Sequence, residues 1–66
     1  MLVLVNGAPR EIPIHSTVDR LLRDLELEVR GLAVEVNGQL VPREALSECE
    51  LKAHDEVEIV TLAGGG

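Results

Sequence analysis

The chain reads as an α+β roll, one helix packed on a mixed sheet of four or five strands, and three observations predict it. An apolar run from Met1 to Val5 ends in Asn6-Gly7, the strongest short signal for a hairpin, and a second strand follows. Val18, Leu21, Leu22 and Leu25 then stand at i, i+3, i+4 and i+7, the spacing of one helical face. Finally, the alternating run Glu56 to Leu62 is separated from the first strand by that helix, so the two can lie side by side in parallel.

The elements follow in order. Met1 to Val5 has strand length and no polar residue, as expected of a strand buried on both faces. The second strand should cover about Arg10 to Ile14, with Ile12 and Ile14 inward. Pro13 cannot donate to a ladder, which puts this strand at a sheet edge. Ser16 with Asp19 matches a capping box, and Thr17 offers a cap one residue later. Asp19, Arg20, Arg23 and Asp24 fall on the helix's other faces and read as solvated surface. The helix should end by about Glu26, with Gly31 closing the connection from Leu27 to Arg30.

Leu32 to Asn37 alternates again, with Leu32, Val34 and Val36 on one side and Ala33 and Glu35 on the other. Asn37-Gly38 makes a second turn before the short apolar pair Leu40-Val41. The Val-Asn-Gly triplets at 5–7 and 36–38 are reused turn chemistry rather than an internal repeat. Pro42 sets φ for the first position of a helical turn over Pro42 to Leu46. Ser47 to Ala53 carries no clear period beyond an extended stretch around Leu51, and His54-Asp55 turns the chain into the last strand.

Composition narrows the function. A chain of 66 residues makes one domain, and a domain of this size buries only about 60% of its unfolded surface. With no Phe, Tyr or Trp, the core must come from the Leu, Val and Ile that dominate a 45% hydrophobic fraction. Twelve acids against six bases give a charge of −6. Without stacking platforms or a basic patch, nucleic-acid binding is not expected. A basic protein surface suits the chain better, and the negative field would steer that encounter. Cys49 has no intrachain partner, and neither a signal peptide nor a membrane span is visible, so a cytoplasmic location is expected.

The chain closes on Leu62-Ala63-Gly64-Gly65-Gly66. Glycine loses the most entropy on ordering, so a fold gains nothing from three in a row. Two readings are open. The segment is a disordered end or appended scar, or it is a thin lead on which an enzyme draws a carboxylate into a narrow site.

An architecture of this kind resembles the ubiquitin-like β-grasp. At this length and with terminal glycines, it looks like the prokaryotic sulfur carriers. Val36-Asn37-Gly38-Gln39-Leu40-Val41-Pro42-Arg43-Glu44 is most similar to the thiamine-biosynthesis (ThiS-type) family. Thr17-Val18-x-x-Leu21-Leu22 and Asp55-Glu56-Val57 match the same pattern, and the resemblance covers the whole chain. Gly65-Gly66 map onto the family's Gly-Gly, while Gly64 is extra. The molybdopterin-synthase small subunit shares fold and tail but tends to be longer and to carry aromatic residues.

What the resemblance implies is a β-grasp domain over residues 1–62 and a flexible tail over 63–66. A ubiquitin-activating-type enzyme (ThiF type) would adenylate the Gly66 carboxylate with ATP and Mg²⁺. A sulfur donor such as a cysteine desulfurase would leave a thiocarboxylate, and a thiazole synthase (ThiG type) would take the sulfur. Gly64 and Gly65 would give access. The chain would be a protein co-substrate rather than an enzyme, binding no cofactor itself. Its glycines are terminal and form no phosphate loop between a strand and a helix. The alternatives are delivery to a molybdopterin precursor, a tRNA base or target-protein lysines, or an interaction module with an inert tail.

A tail of Ala63 to Gly66 spans at most about 14 Å, and ordering each glycine costs roughly 1–2 kcal/mol. A docking face on the folded domain must offset that. The exposed face of the last strand is the candidate, where Val60 and Leu62 share parity with Glu56 and Glu58; burial of both under a loop or helix is the competing expectation. Arg43 should make a surface ion pair or a docking contact. Cys49 could carry a persulfide, but a lone cysteine is more often small and idle. His15 and His54 fall at turns without cysteine neighbours, so no metal site is expected.

Overall fold

Two Asn-Gly corners frame the sheet. At each, both central residues have positive φ (Asn6 50° and Gly7 84°, Asn37 53° and Gly38 84°). That is the type I′ geometry whose twist suits tight hairpins, and Asn tolerates it where most side chains do not. In the computed structural model, which describes residues 1–62, the corners join β1 (Leu2–Val5) to β2 (Ala8–Glu11) and β3 (Leu32–Val36) to β4 (Gln39–Val41). The last strand, β5 (Glu56–Thr61), runs between the hairpins. It is parallel to β1 and antiparallel to β3, giving a five-stranded mixed sheet in the order β2-β1-β5-β3-β4.

Helix α1 (Val18–Asp24) covers one face. Thr17 is its N-cap: Oγ1 accepts from the Arg20 N–H at 3.2 Å. Ser16 is buried instead and donates its hydroxyl to the Pro13 carbonyl at 2.6 Å, so the capping box at Ser16 does not form. The Val18 and Asp19 N–H groups donate to the carbonyls of Cys49 and Leu46. Hydrogen bonds thus engage the orphan donors of the first turn and stitch residues 46–51 to the helix start. At the other end, Glu26 takes φ 61°. The Glu26 and Leu27 N–H groups bond to the Arg23 and Leu22 carbonyls, a Schellman closure with Glu where Gly is usual.

The core is aliphatic. Val3, Ile12, Val18, Leu21, Leu22, Val34, Leu46, Leu51 and Val57 are its buried members. Val18, Leu21 and Leu22 form the expected helix face, and Leu51 pins the irregular segment beside an isolated bridge, Thr17 to Glu50.

Four expectations need correction. The first strand is buried on one face only: Val3 is fully buried while Leu2 is 39% exposed, because the sheet has a single helix. The second strand is Ala8–Glu11 rather than Arg10 to Ile14. Its tight corner starts pairing at once with Val5 opposite Ala8, so the proline inside the edge strand is Pro9 and Pro13 lies beyond it. Ile12 is buried, but Ile14 is 70% exposed, since the chain turns at Pro13 toward the helix cap. Pro42 is the N-cap of the 3-10 turn Arg43–Ala45, with ψ 155°, and not its first helical residue.

Candidate functional site

Strand β5 delivers the chain to its last residues, so the site is built around it. Its start is held from both sides by the two corner asparagines. The Asn37 N–H donates to the Glu56 carbonyl at 2.8 Å, and Asn37 Oδ1 accepts from the Glu56 N–H at 2.9 Å. Asn37 Nδ2 also reaches Asp55 Oδ1 at 3.0 Å, and Asp55 Oδ2 accepts from the Lys52 N–H at 2.8 Å. On the other side, the parallel ladder from β1 runs out where Asn6 turns away. The Asn6 side chain continues it: Nδ2 donates to the Ile59 carbonyl at 3.2 Å, and Oδ1 accepts from the Ile59 N–H at 2.7 Å. One amide thus replaces a missing strand residue. Sequence reasoning read these asparagines only as turn formers. The preference for Asn over Asp at both corners was the available signal, since only the amide can both donate and accept.

The register then fixes which side chains share a face. Val34 lies opposite Ile59 and Val36 opposite Val57 on the helix side, with Val3 and Val5 from β1. On the uncovered side, Ala33 lies opposite Val60, Glu35 opposite both Glu58 and Leu40, Leu4 opposite Glu56, and Leu2 opposite Glu11. Val60 and Leu40 are 54% and 65% exposed there. The uncovered face therefore interleaves apolar residues with Glu11, Glu35, Glu56 and Glu58, and these strands place no Lys or Arg on it.

Leu62 is also exposed, at 62%, so neither it nor Val60 is buried under a loop or helix. They do not form one patch, however. Pairing ends at Thr61, and the Leu62 N–H donates to the Gly31 carbonyl at 2.6 Å. Leu62 instead borders a 230 Å³ cavity on the helix side, together with Leu22, Val29, Val34, Leu46 and Arg43. Arg43 and Leu62 are thus brought together, and Val60 stands on the opposite face. Among the described residues, Arg43 makes no ion pair. Ala63 and Gly64 to Gly66 lie outside the described residues.

Other singled-out groups are scattered. Cys49 is partly buried beside a shallow cleft at the far end of β5, lined also by Val36, Leu40, Pro42 and Lys52. His15 Nδ1 lies 2.6 Å from Glu50 Oε2 in an exposed pair. Among the described residues no three His, Cys, Asp or Glu stand together as metal ligands, and no helix is long and apolar enough to cross a membrane.

Comparison with known proteins agrees with this geometry. The model of the ThiS family matches residues 3–66. A sulfur carrier protein ThiS from Bacillus subtilis is 37% identical over 51 residues, 77% of each chain. A thiazole synthase from Paramagnetospirillum magneticum is 35% identical over all 66 residues, but the chain spans only 20% of that protein's length. The crystal structure of a thiamine-biosynthesis protein ThiS from Geobacter metallireducens superposes with a TM-score of 0.87 at 33% identity, covering both chains completely. The mixed sheet with one helix is accordingly the ubiquitin-like β-grasp.

Proposed function

The chain belongs to the ThiS family, and we propose that it is a sulfur carrier for thiamine thiazole formation whose reacting atom is the Gly66 carboxylate. The carrying observation is the reach of the family match, which runs through residue 66 and so takes in the whole glycine tail. The chain acts as a co-substrate. A ubiquitin-activating-type enzyme of the ThiF kind binds ATP and Mg²⁺, and a carboxylate oxygen of Gly66 attacks the α-phosphorus. Pyrophosphate leaves and an acyl-adenylate forms. Hydrosulfide then attacks the acyl carbon and AMP departs with the former carboxylate oxygen, leaving a thiocarboxylate. Where a cysteine desulfurase supplies the sulfur as a persulfide, a thiol reductant must cleave the resulting acyl disulfide. A thiazole synthase of the ThiG kind accepts the sulfur. Matches to proteins named thiazole synthase, in which a like unit makes up a fifth of the chain, support this acceptor over a molybdopterin precursor or a tRNA base.

In this scheme the folded domain provides recognition and the tail provides reach. Gly64 and Gly65 let the backbone pass where any Cβ would clash. Val60 with its glutamate surround is the docking face for activation. The test is to incubate the chain with its activating enzyme, ATP, Mg²⁺ and sulfide, and to weigh it. Exchange of one oxygen for sulfur at the C-terminus is expected; an unchanged mass with a demonstrably active enzyme points to an interaction module. A residue appended after Gly66 should abolish the exchange and leave the melting curve intact.

A further inference from the structure

The chain has two asparagines, Asn6 and Asn37, and a glycine follows each. Asparagine is thermolabile for a chemical reason. The next residue's backbone nitrogen can attack the side-chain Cγ, and glycine, lacking a Cβ, obstructs that attack least. Here all the corner residues are exposed, and a Cβ added to Gly7 or Gly38 would meet nothing within 4 Å. Water therefore reaches both corners, and packing shields neither. What restrains the reaction is hydrogen bonding. The Asn6 amide is held by the Ile59 backbone, donating at 3.2 Å and accepting at 2.7 Å. The Asn37 amide accepts from the Glu56 N–H at 2.9 Å and donates at 3.0 Å to the Asp55 carboxylate.

We propose that both corners are sites of spontaneous deamidation which the fold holds closed, and that Asn6 is the first to react. The Gly7 nitrogen gives its proton to water and bonds to Asn6 Cγ. The Cγ–Nδ2 bond then breaks and ammonia leaves with a proton from water, closing a succinimide ring. Water opens the ring at either carbonyl, giving Asp or its β-linked isomer, so the net change is water taken up and ammonia lost. Swinging Cγ onto the Gly7 nitrogen turns the amide away from Ile59, so both clamp bonds must open first. Asn37 is the slower site on two counts. Its amide donates to a carboxylate, the stronger kind of bond, and the charge of Asp55 opposes the anionic nitrogen that must form at Gly38. Reaction at Asn6 has a structural consequence, because the parallel ladder from β1 pairs β5 only as far as Val57. The Asn6 amide is the next partner on that side. A carboxylate at residue 6 still accepts from the Ile59 N–H, but it turns an oxygen onto the Ile59 carbonyl with no donor between them. The β-linked isomer also lengthens the backbone of a two-residue corner that is closed by Val5 opposite Ala8. The reaction needs only water, so the inference stands apart from the sulfur-carrier reading.

The test follows the full chain by peptide mapping and mass spectrometry during long incubation in neutral buffer, beside a sample unfolded in guanidinium chloride. In the unfolded sample both asparagines should deamidate at similar rates, since each precedes glycine. In buffer both should slow, Asn37 several-fold more than Asn6. Because opening of the clamp gates the reaction, the slowing at Asn6 should match the hydrogen-exchange protection of the Ile59 amide. The slowing at Asn37 should exceed or equal the protection of the Glu56 amide, to which its side chain is bonded. Asn6→Asp copies the unisomerised product and should exchange several-fold faster than wild type at Ile59. Folded chain that deamidates at Asn6 as fast as unfolded chain would overturn the clamp, and reaction first at Asn37 would overturn the order. Absence of reaction at both sites in the unfolded sample would overturn the proposal outright. Wild-type exchange at Ile59 in Asn6→Asp would overturn the consequence for β5. Each of these readings is independent of whether the chain acquires sulfur.

Discussion

On the helix side of the sheet, Val3, Val34 and Val57 are at most 2% exposed. On the other side the same strands present Leu2 at 39% and Val60 at 54%, set among Glu11, Glu35, Glu56 and Glu58. The two faces share one backbone and one ladder of hydrogen bonds, and along β5 they alternate residue by residue. The helix makes the difference. A 66-residue chain with one short helix can cover only one face. Its second face must stay wet, and there charge rather than packing limits the exposed apolar surface. The difference separates two tasks. Substitutions on the covered face should change stability, and substitutions on the open face should change encounters.

The largest effect tests the covered face. Leu21 is 1% exposed at the centre of the helix stripe, and Leu21→Ala should cost roughly 2–5 kcal/mol through lost burial and the void left behind. Urea unfolding should show the fall as a lower midpoint at unchanged slope. A midpoint like that of wild type would mean that the helix contributes less to this face than its burial implies.

The next effect concerns register, which decides what each face carries. Asn6→Ala removes both bonds to Ile59 and puts a β-carbon with no compensating amide at φ 50°. A loss of about 1–3 kcal/mol is expected, with faster hydrogen exchange at the Ile59 amide. Asn6→Gly keeps the turn and loses only the amide, so the gap between the two variants isolates the backbone cost. If both leave Ile59 exchange unchanged, the side chain does not extend the ladder.

Much of this was legible because the decisive signals are local. Val18, Leu21, Leu22 and Leu25 announce a helix face by spacing, and the two Asn-Gly dipeptides announce hairpins by backbone need. What escaped depended on distant partners. Ile12 and Ile14 look equivalent in sequence, yet the turn at Pro13 buries one and exposes the other. Val60 and Leu62 share parity, but parity applies only while pairing lasts, and it stops at Thr61. Ser47 to Ala53 was unreadable because its order comes from bonds to the start of α1 rather than from any period of its own. For the site, Arg43 was visible as part of a family-like segment, but its place beside Leu62 follows from the 3-10 turn and the end of β5 meeting in space.

A smaller gain is available at the helix end. Glu26 holds the left-handed position of the Schellman closure at φ 61°. Glycine there removes the β-carbon penalty but adds unfolded-state entropy, so Glu26→Gly should raise stability by no more than about 1 kcal/mol. Thermal unfolding should record a rise of roughly 4–8 °C per kcal/mol for a domain of this size. A fall instead would show that the Glu26 side chain contributes more than its backbone costs.

The smallest stability effect should accompany the clearest change in recognition. Glu58 is exposed on the open face beside Val60, opposite Glu35 and far from the helix. Glu58→Lys buries nothing and breaks no ion pair among the described residues, so stability should stay within about 0.5 kcal/mol of wild type. If the open face steers the chain onto a basic activating enzyme, the same change should slow association several-fold at low salt. The deficit should shrink as salt screens both proteins, because exposed charges interact over a Debye length of only about 8–10 Å near physiological ionic strength. Stopped-flow association at two ionic strengths distinguishes this from a contact effect. A salt-independent deficit would place Glu58 in a short-range contact, and no deficit at all would move docking for activation off this face. Either result would leave the covered face untouched, and the two tasks could then be assigned separately.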